Sequence, residues 1–167
     1  MKIFITGISG SGKTTLARKL SSALDIPHFN LDDIYWKKRY SEGRCNEECS
    51  LALKGILTKN KSWIIEGVFG WCKPAAKKAD LVIWLNFGIN FCSYRVVKRH
   101  FTSKNNSEDM RSLYNLIKYV RDYKKIRPGH ILSTFEKQKE IAFINEEKLV
   151  EVRSIWQLKK LLRELKL

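Results

Sequence analysis

The residues best suited to chemistry lie in Gly7-Ile8-Ser9-Gly10-Ser11-Gly12-Lys13-Thr14-Thr15 of this 167-residue chain. The spacing Gly-x4-Gly-Lys-Thr is that of a phosphate-binding loop. An apolar run from Ile3 to Ile5 before it and a helical pattern at Leu16, Ala17 and Leu20 after it supply the strand-to-helix context the pattern requires. Glycines let consecutive backbone N–H groups curl around a polyphosphate at a helix end whose unpaired donors already favour anions. Gly7, Ser9, Gly10, Ser11, Gly12, Lys13, Thr14 and Thr15 are therefore the expected nucleotide-binding residues, with Lys13 on the outer phosphates and the Thr14 hydroxyl on magnesium.

Phosphoryl transfer asks mostly for positioning and for positive charge around a spreading negative one. Two acids close neighbouring apolar runs, Asp32 after 27–31 and Glu66 after 63–65. The carboxyl ends of parallel strands are where such sheets bind ligands. Glu66 is thus a candidate for holding magnesium through water. Asp32 is a candidate for binding magnesium, gripping an acceptor or serving as general base toward a hydroxyl, with a turn or capping role as the alternative. Arg95 and Arg99 are four apart on an expected helix and share one face, and a guanidinium both stacks on a base and bonds phosphate bidentately. Arg121 and Arg127 are weighed as lid arginines against plain surface charge. Tyr35, Trp36 and Tyr40 follow Asp32, and Phe69 and Trp71 follow Glu66; these rings either stack on a planar substrate or pack, the commoner use of large aromatics. Trp63 and Trp84 are assigned to the core, and His28 and His100, with no partner that would make either catalytic or metal-binding, to structure.

The elements that must position these groups alternate. Strands are expected at 2–6, 27–31, 63–65, 81–85 and 149–152. Helices are expected at 13–24, 46–58, 91–101 with Asn90 as cap, 108–126, 129–140, and after Ser154, where Gln157 completes a capping-box signature. Residues 34–44 show no period and read as a mobile crossover, and a loop carries Trp71 and Pro74. Alternating strands and helices argue for an α/β fold, a parallel sheet with helices on both faces. One domain is expected over 1–167, with a core at about 1–90 and 145–167, an acceptor-side segment at about 32–60 and a lid region at about 95–128.

The bulk properties bound the setting. The first residues are too short an apolar run for a signal peptide or membrane span, so a cytoplasmic location is expected. Cys45, Cys49, Cys72 and Cys92 are expected as free thiols, and nothing nearby completes a zinc set around the first two. The net charge of +15 attracts polyanions without distinguishing ATP from nucleic acid. A nucleic-acid-associated protein that affects DNA topology and uses ATP as a switch is the alternative to a kinase, although no DNA-reading motif accompanies the charge.

With the P-loop, Leu31-Asp32, Glu66-Gly67, Tyr94 to Arg99 and Arg127-Pro128 in this order, the chain resembles the adenylate-kinase-like group of P-loop kinases. More narrowly it is similar to small bacterial topology-modulation proteins, or adenylate-kinase-related kinases. The resemblance implies a nucleoside-monophosphate-kinase-like, five-stranded parallel core with a short helical lid, ATP as phosphoryl donor with Mg2+, and Arg95 and Arg99 over the nucleotide. It names no acceptor beyond a nucleotide or a small hydroxyl compound. Adenylate kinases follow their third strand with Asp-Gly-Phe-Pro-Arg, where this chain has Glu66-Gly67-Val68-Phe69-Gly70, so the arginine that grips the monophosphate is missing and AMP is disfavoured.

Overall fold

The computed structural model describes residues 1–38, 42–102, 110–126, 131 and 133–165. In chain order these form β1 (Lys2–Gly7), α1 (Lys13–Leu24), β2 (His28–Asn30), α2 (Leu31–Tyr35), β3 (Trp36–Lys38), β4 (Glu42–Gly43), α3 (Asn46–Lys59), β5 (Trp63–Glu66), α4 (Lys73–Lys78) and β6 (Leu81–Leu85). There follow α5 (Ile89–Thr102), α6 (Met110–Arg121), α7 (Thr134–Phe143), β7 (Leu149–Val152) and α8 (Ile155–Glu164). Single 3-10 turns precede α4 and β7.

Among the described residues, β2-β5-β1-β6-β7 form one five-stranded sheet, every pairing parallel. The central strands are apolar throughout because both faces are covered. Ile3, Ile5, Ile64, Ile83 and Leu85 pack with Leu16 and Leu20 of α1, Val96 of α5 and Leu161 of α8. The alternate residues Phe4, Trp63, Ile65 and Val82 pack with Leu53 of α3, Ala75 and Ala76 of α4 and Ile141 of α7. This two-residue alternation within one apolar run is the pleat of a doubly covered strand. Trp63 and Trp84 lie in the core as expected.

Several local expectations are corrected. Within 34–44, read from the sequence as an aperiodic crossover, the described residues include β3 and β4, which pair antiparallel with Trp36 opposite Gly43. Arg44 clips the base of this hairpin, its Nη1 donating to the Ile34 carbonyl at 2.6 Å and its backbone N–H to that of Tyr35 at 2.8 Å. Two-residue and three-residue strands are too short to show a period. Helix α5 starts at Ile89, not after Asn90, because Cys92 N–H already donates to the Gly88 carbonyl. The helix expected over 129–140 spans Thr134–Phe143, capped by Ser133 with Glu136 closing a full capping box. Ser154 caps α8 by accepting from Gln157 N–H, but the Gln157 side chain accepts from Arg153 N–H and not from the cap itself. Pro74 opens a short helix, α4, where a loop was expected, proline being well tolerated in a first turn.

Candidate phosphate-binding site

The loop joins β1, the middle strand, to α1, which packs on β5, β1 and β2. Gly10 has φ of 82°, and a Cβ there would collide with the Cys92 carbonyl oxygen of α5. Only glycine allows this backbone to lie so close to a neighbouring helix. Ser11 N–H donates to the Ile8 carbonyl at 3.1 Å and tightens the turn. Helix α1 then begins without a side-chain cap and without an acid in its first turn. Its first N–H groups and the positive end of its dipole are left for an anion.

Lys13 Nζ donates to the Ile8 carbonyl at 3.3 Å, folding the side chain back over the loop. Burial pushes its pKa below the ordinary lysine value; the charges of Glu66 and Asp32 act in the opposite direction, and Arg99 adds to the depression. Two acids and one further cation therefore act on the same ammonium.

A cavity of about 450 Å3 opens over the loop. Ser9, Gly10, Gly12, Lys13, Thr14 and Thr15 line it, together with Arg95 and Arg99 of α5. Arg95 Nη1 donates to the Ser11 carbonyl at 3.3 Å, and its guanidinium carbon lies 5.6 Å from the centre of the Phe91 ring. The expectation that Arg95 and Arg99 share one face leads to a common cavity. Gly7 and Ser11 are buried in the loop and shape it without lining the cavity.

Asn30, Asp32 and Asp33 line the same cavity. Asp32 does not end a strand, as the sequence suggested. Strand β2 stops at Asn30, whose side chain accepts from Asp32 N–H at 2.9 Å and caps α2, so Asp32 and Asp33 occupy the first turn of a helix. Gly67 holds this helix against the sheet: a Cβ there would lie 2.7 Å from Leu31 Cδ1, so its absence lets Leu31 pack into the turn after β5.

Glu66 ends β5 beside Asn30 of β2, but it is buried and does not line the cavity. Its Oε1 lies 3.2 Å from His28 Nε2. The sequence alone did not show this partner for His28. His28 and Glu66 lie on one face of adjacent strands, two residues apart in register, a relation invisible until β2 is paired with β5. Arg121 is exposed at the end of α6 and does not line the cavity, while Arg127 and Tyr40 fall outside the described residues.

Arg18 is a cavity residue that sequence reading missed. Its signal was available, since it stands four residues after Thr14 on α1 and so shares the face of a loop residue. Tyr35, Trp36, Phe69 and Trp71 pack on one another: Tyr35 meets Trp36 edge-on at 4.7 Å and Phe69 at 4.7 Å, and Phe69 stacks on Trp71 at 5.2 Å. The packing alternative therefore describes these four rings.

Among the described residues no three His, Cys, Asp or Glu side chains gather into a metal cage. The oxygens near the loop, the Thr14 hydroxyl and the carboxylates of Asp32 and Glu66, are hard donors. That donor set fits magnesium, which usually arrives on substrate phosphates and takes only one or two protein ligands. No helix among the described residues is long and apolar enough to cross a membrane.

A parallel five-stranded sheet with the P-loop after its middle strand defines a P-loop NTPase fold of the nucleoside-monophosphate-kinase-like type. The AAA domain family matches residues 3–114, and the chain belongs to that family. A Bacillus subtilis (strain 168) protein, the uncharacterized protein YqaC, is 37% identical over 84 residues, which cover 50% of this chain and 47% of YqaC. The match thus spans about half the length of that relative. Among solved structures, shikimate kinase from Acinetobacter baumannii, in complex with shikimate, superposes with a TM-score of 0.54 at 18% identity, over 99% of this chain and 93% of that one. Shikimate kinase from Bacteroides thetaiotaomicron does so with a TM-score of 0.52 at 18% identity, over 100% and 99% of the two chains. At that identity the likeness establishes the fold.

Proposed function

We propose that the protein is a cytoplasmic phosphotransferase that moves the γ-phosphoryl group of ATP, with Mg2+, to a small acceptor, either a nucleotide or a small hydroxyl compound. The observation that carries this reading is a single cavity in which the amides and Lys13 of the P-loop adjoin the carboxylates of Asp32 and Asp33. The first set suits the phosphates of a nucleotide, and on this reading the second faces the acceptor.

The loop amides and Lys13 hold the outer phosphates, and Arg95 and Arg99 lie over the nucleotide and neutralise charge that spreads during transfer. Thr14 and Glu66 hold the ion, Glu66 through water. Magnesium, when bound, would supply positive charge that offsets the negative charge of the phosphates. With a hydroxyl acceptor, Asp32 takes the proton as the acceptor oxygen bonds to the γ-phosphorus and the bond to the β-phosphate bridging oxygen breaks.

The test is an ADP-release screen across nucleotides, nucleosides, polyols and hydroxy acids, with shikimate included because a fold neighbour was solved with it. An acceptor that stimulates ADP formation by the wild type, but not by Lys13→Ala, supports the reading. ADP release that no acceptor stimulates contradicts it.

A further inference from the structure

The His28–Glu66 contact has no part in the roles assigned above. Glu66 is 1% exposed, and an ionised carboxylate is costly to bury without a donor. His28 Nε2 lies 3.2 Å from Oε1 of that carboxylate. A carboxylate only accepts, so the imidazole presents Nε2–H, and Oε1 is committed to it. Glu66 pairs in register with Ile5 of β1, two residues before the loop begins. Glu66 acts electrostatically on Lys13, so its carboxylate is close enough for its placement to matter to the loop.

We infer that His28 is a positioning residue, which by fixing Glu66 through Oε1 sets how the strand-end carboxylate is presented to the metal-nucleotide complex. The inference rests on the proposed nucleotide and metal binding. A purely structural pair would share the burial and the hydrogen bond but would affect only stability. Partners that orient metal-side ligands typically alter metal affinity or activity by about 10-fold to 100-fold when removed.

The experiment uses Mn2+ as probe, titrated by electron paramagnetic resonance into the full chain saturated with ADP, alongside ADP affinity without metal and thermal melting. His28→Leu removes the donor, and His28→Gln restores an N–H near the position of Nε2. The expected result is Mn2+ affinity lowered about 10-fold in His28→Leu and largely recovered in His28→Gln, with metal-free ADP affinity held in both. Equal Mn2+ affinity in all three proteins overturns the inference. So does a loss in His28→Leu that His28→Gln fails to recover while both melt like the wild type. If the Leu variant does not fold, His28→Ala takes its place as the donor-less variant and is read against His28→Gln by the same outcomes. Absence of ADP-dependent Mn2+ binding in the wild type is a different result, which removes the underlying nucleotide and metal reading.

Discussion

The loop at 7–15 and the junction at 28–33 border one cavity, yet they are built on different physics. The loop works through its main chain: glycine conformations, a tight Ser11-to-Ile8 turn and the uncapped start of α1 aim N–H groups at an anion. The Lys13 side chain rests back on the loop. The junction works through side chains. Asn30 ends a strand and starts a helix, Asp32 and Asp33 face the cavity from its first turn, and His28 reaches across to Glu66 on another strand. Backbone recognition of phosphate is general, whereas side-chain recognition can be changed one residue at a time. On the proposed reading the loop is the donor end of the site and the junction its acceptor end.

Breaking the donor end should have the largest effect. Lys13→Ala is expected to lower turnover by about 10^3-fold or more with any acceptor, in line with losing a preorganised charge at a transition state, measured as ADP release. A comparable loss with one acceptor and none with another would end the division drawn here. On the other side, Asp32→Asn should lower kcat by about 10^2-fold for a hydroxyl acceptor while leaving nucleotide affinity in place, as expected for loss of a general base. A phosphate acceptor, which needs no proton removed, should show a much smaller drop. Nucleotide titration next to kinetics separates these cases.

Gly10→Ala tests the main-chain side by shape. A methyl group that meets the Cys92 carbonyl at φ of 82° should cost about 1–3 kcal/mol, seen as a lower melting temperature together with weaker nucleotide binding. A smaller effect is expected for Arg18→Ala. It should raise the acceptor KM about 10-fold, the value of a charge-assisted hydrogen bond, and leave nucleotide affinity as it was. If instead nucleotide affinity falls, Arg18 belongs to the donor end. The smallest effect is a matter of pH. Because burial holds the Lys13 ammonium below the ordinary lysine value, it loses its proton earlier on the alkaline side, and nucleotide affinity should decline by a few-fold as pH rises toward that lowered value. Binding that stays flat up to the ordinary lysine range would show that the loop amides outweigh the ammonium.

Legibility in the sequence follows the same division. The strand at 81–85 and the last strand at 149–152 lie where their apolar runs place them, and α1 spans the expected 13–24. The β3–β4 hairpin was not legible, because its strands are two and three residues long and are held by Arg44 and by contacts around Tyr35. Asn30 shows how a local signal is overridden. Continuity of apolar character through Leu31 suggested more strand, but the Asn30 side chain capped Asp32 and turned the chain into a helix.

The sequence by itself determined the phosphate loop, the parallel sheet and the end of the sheet at which that loop sits. Those depend on spacing between residues close in the chain and on apolar runs that only a doubly covered strand requires. Tertiary structure alone decided that His28 meets Glu66, that Glu66 is buried and not exposed to the cavity, that Arg18 joins Arg95 and Arg99 there, and that the Gly10 backbone nests against Cys92. Each joins elements far apart in the chain. The pairing of strands and the seating of α1 and α5 on the sheet bring them together, and no local spacing encodes that.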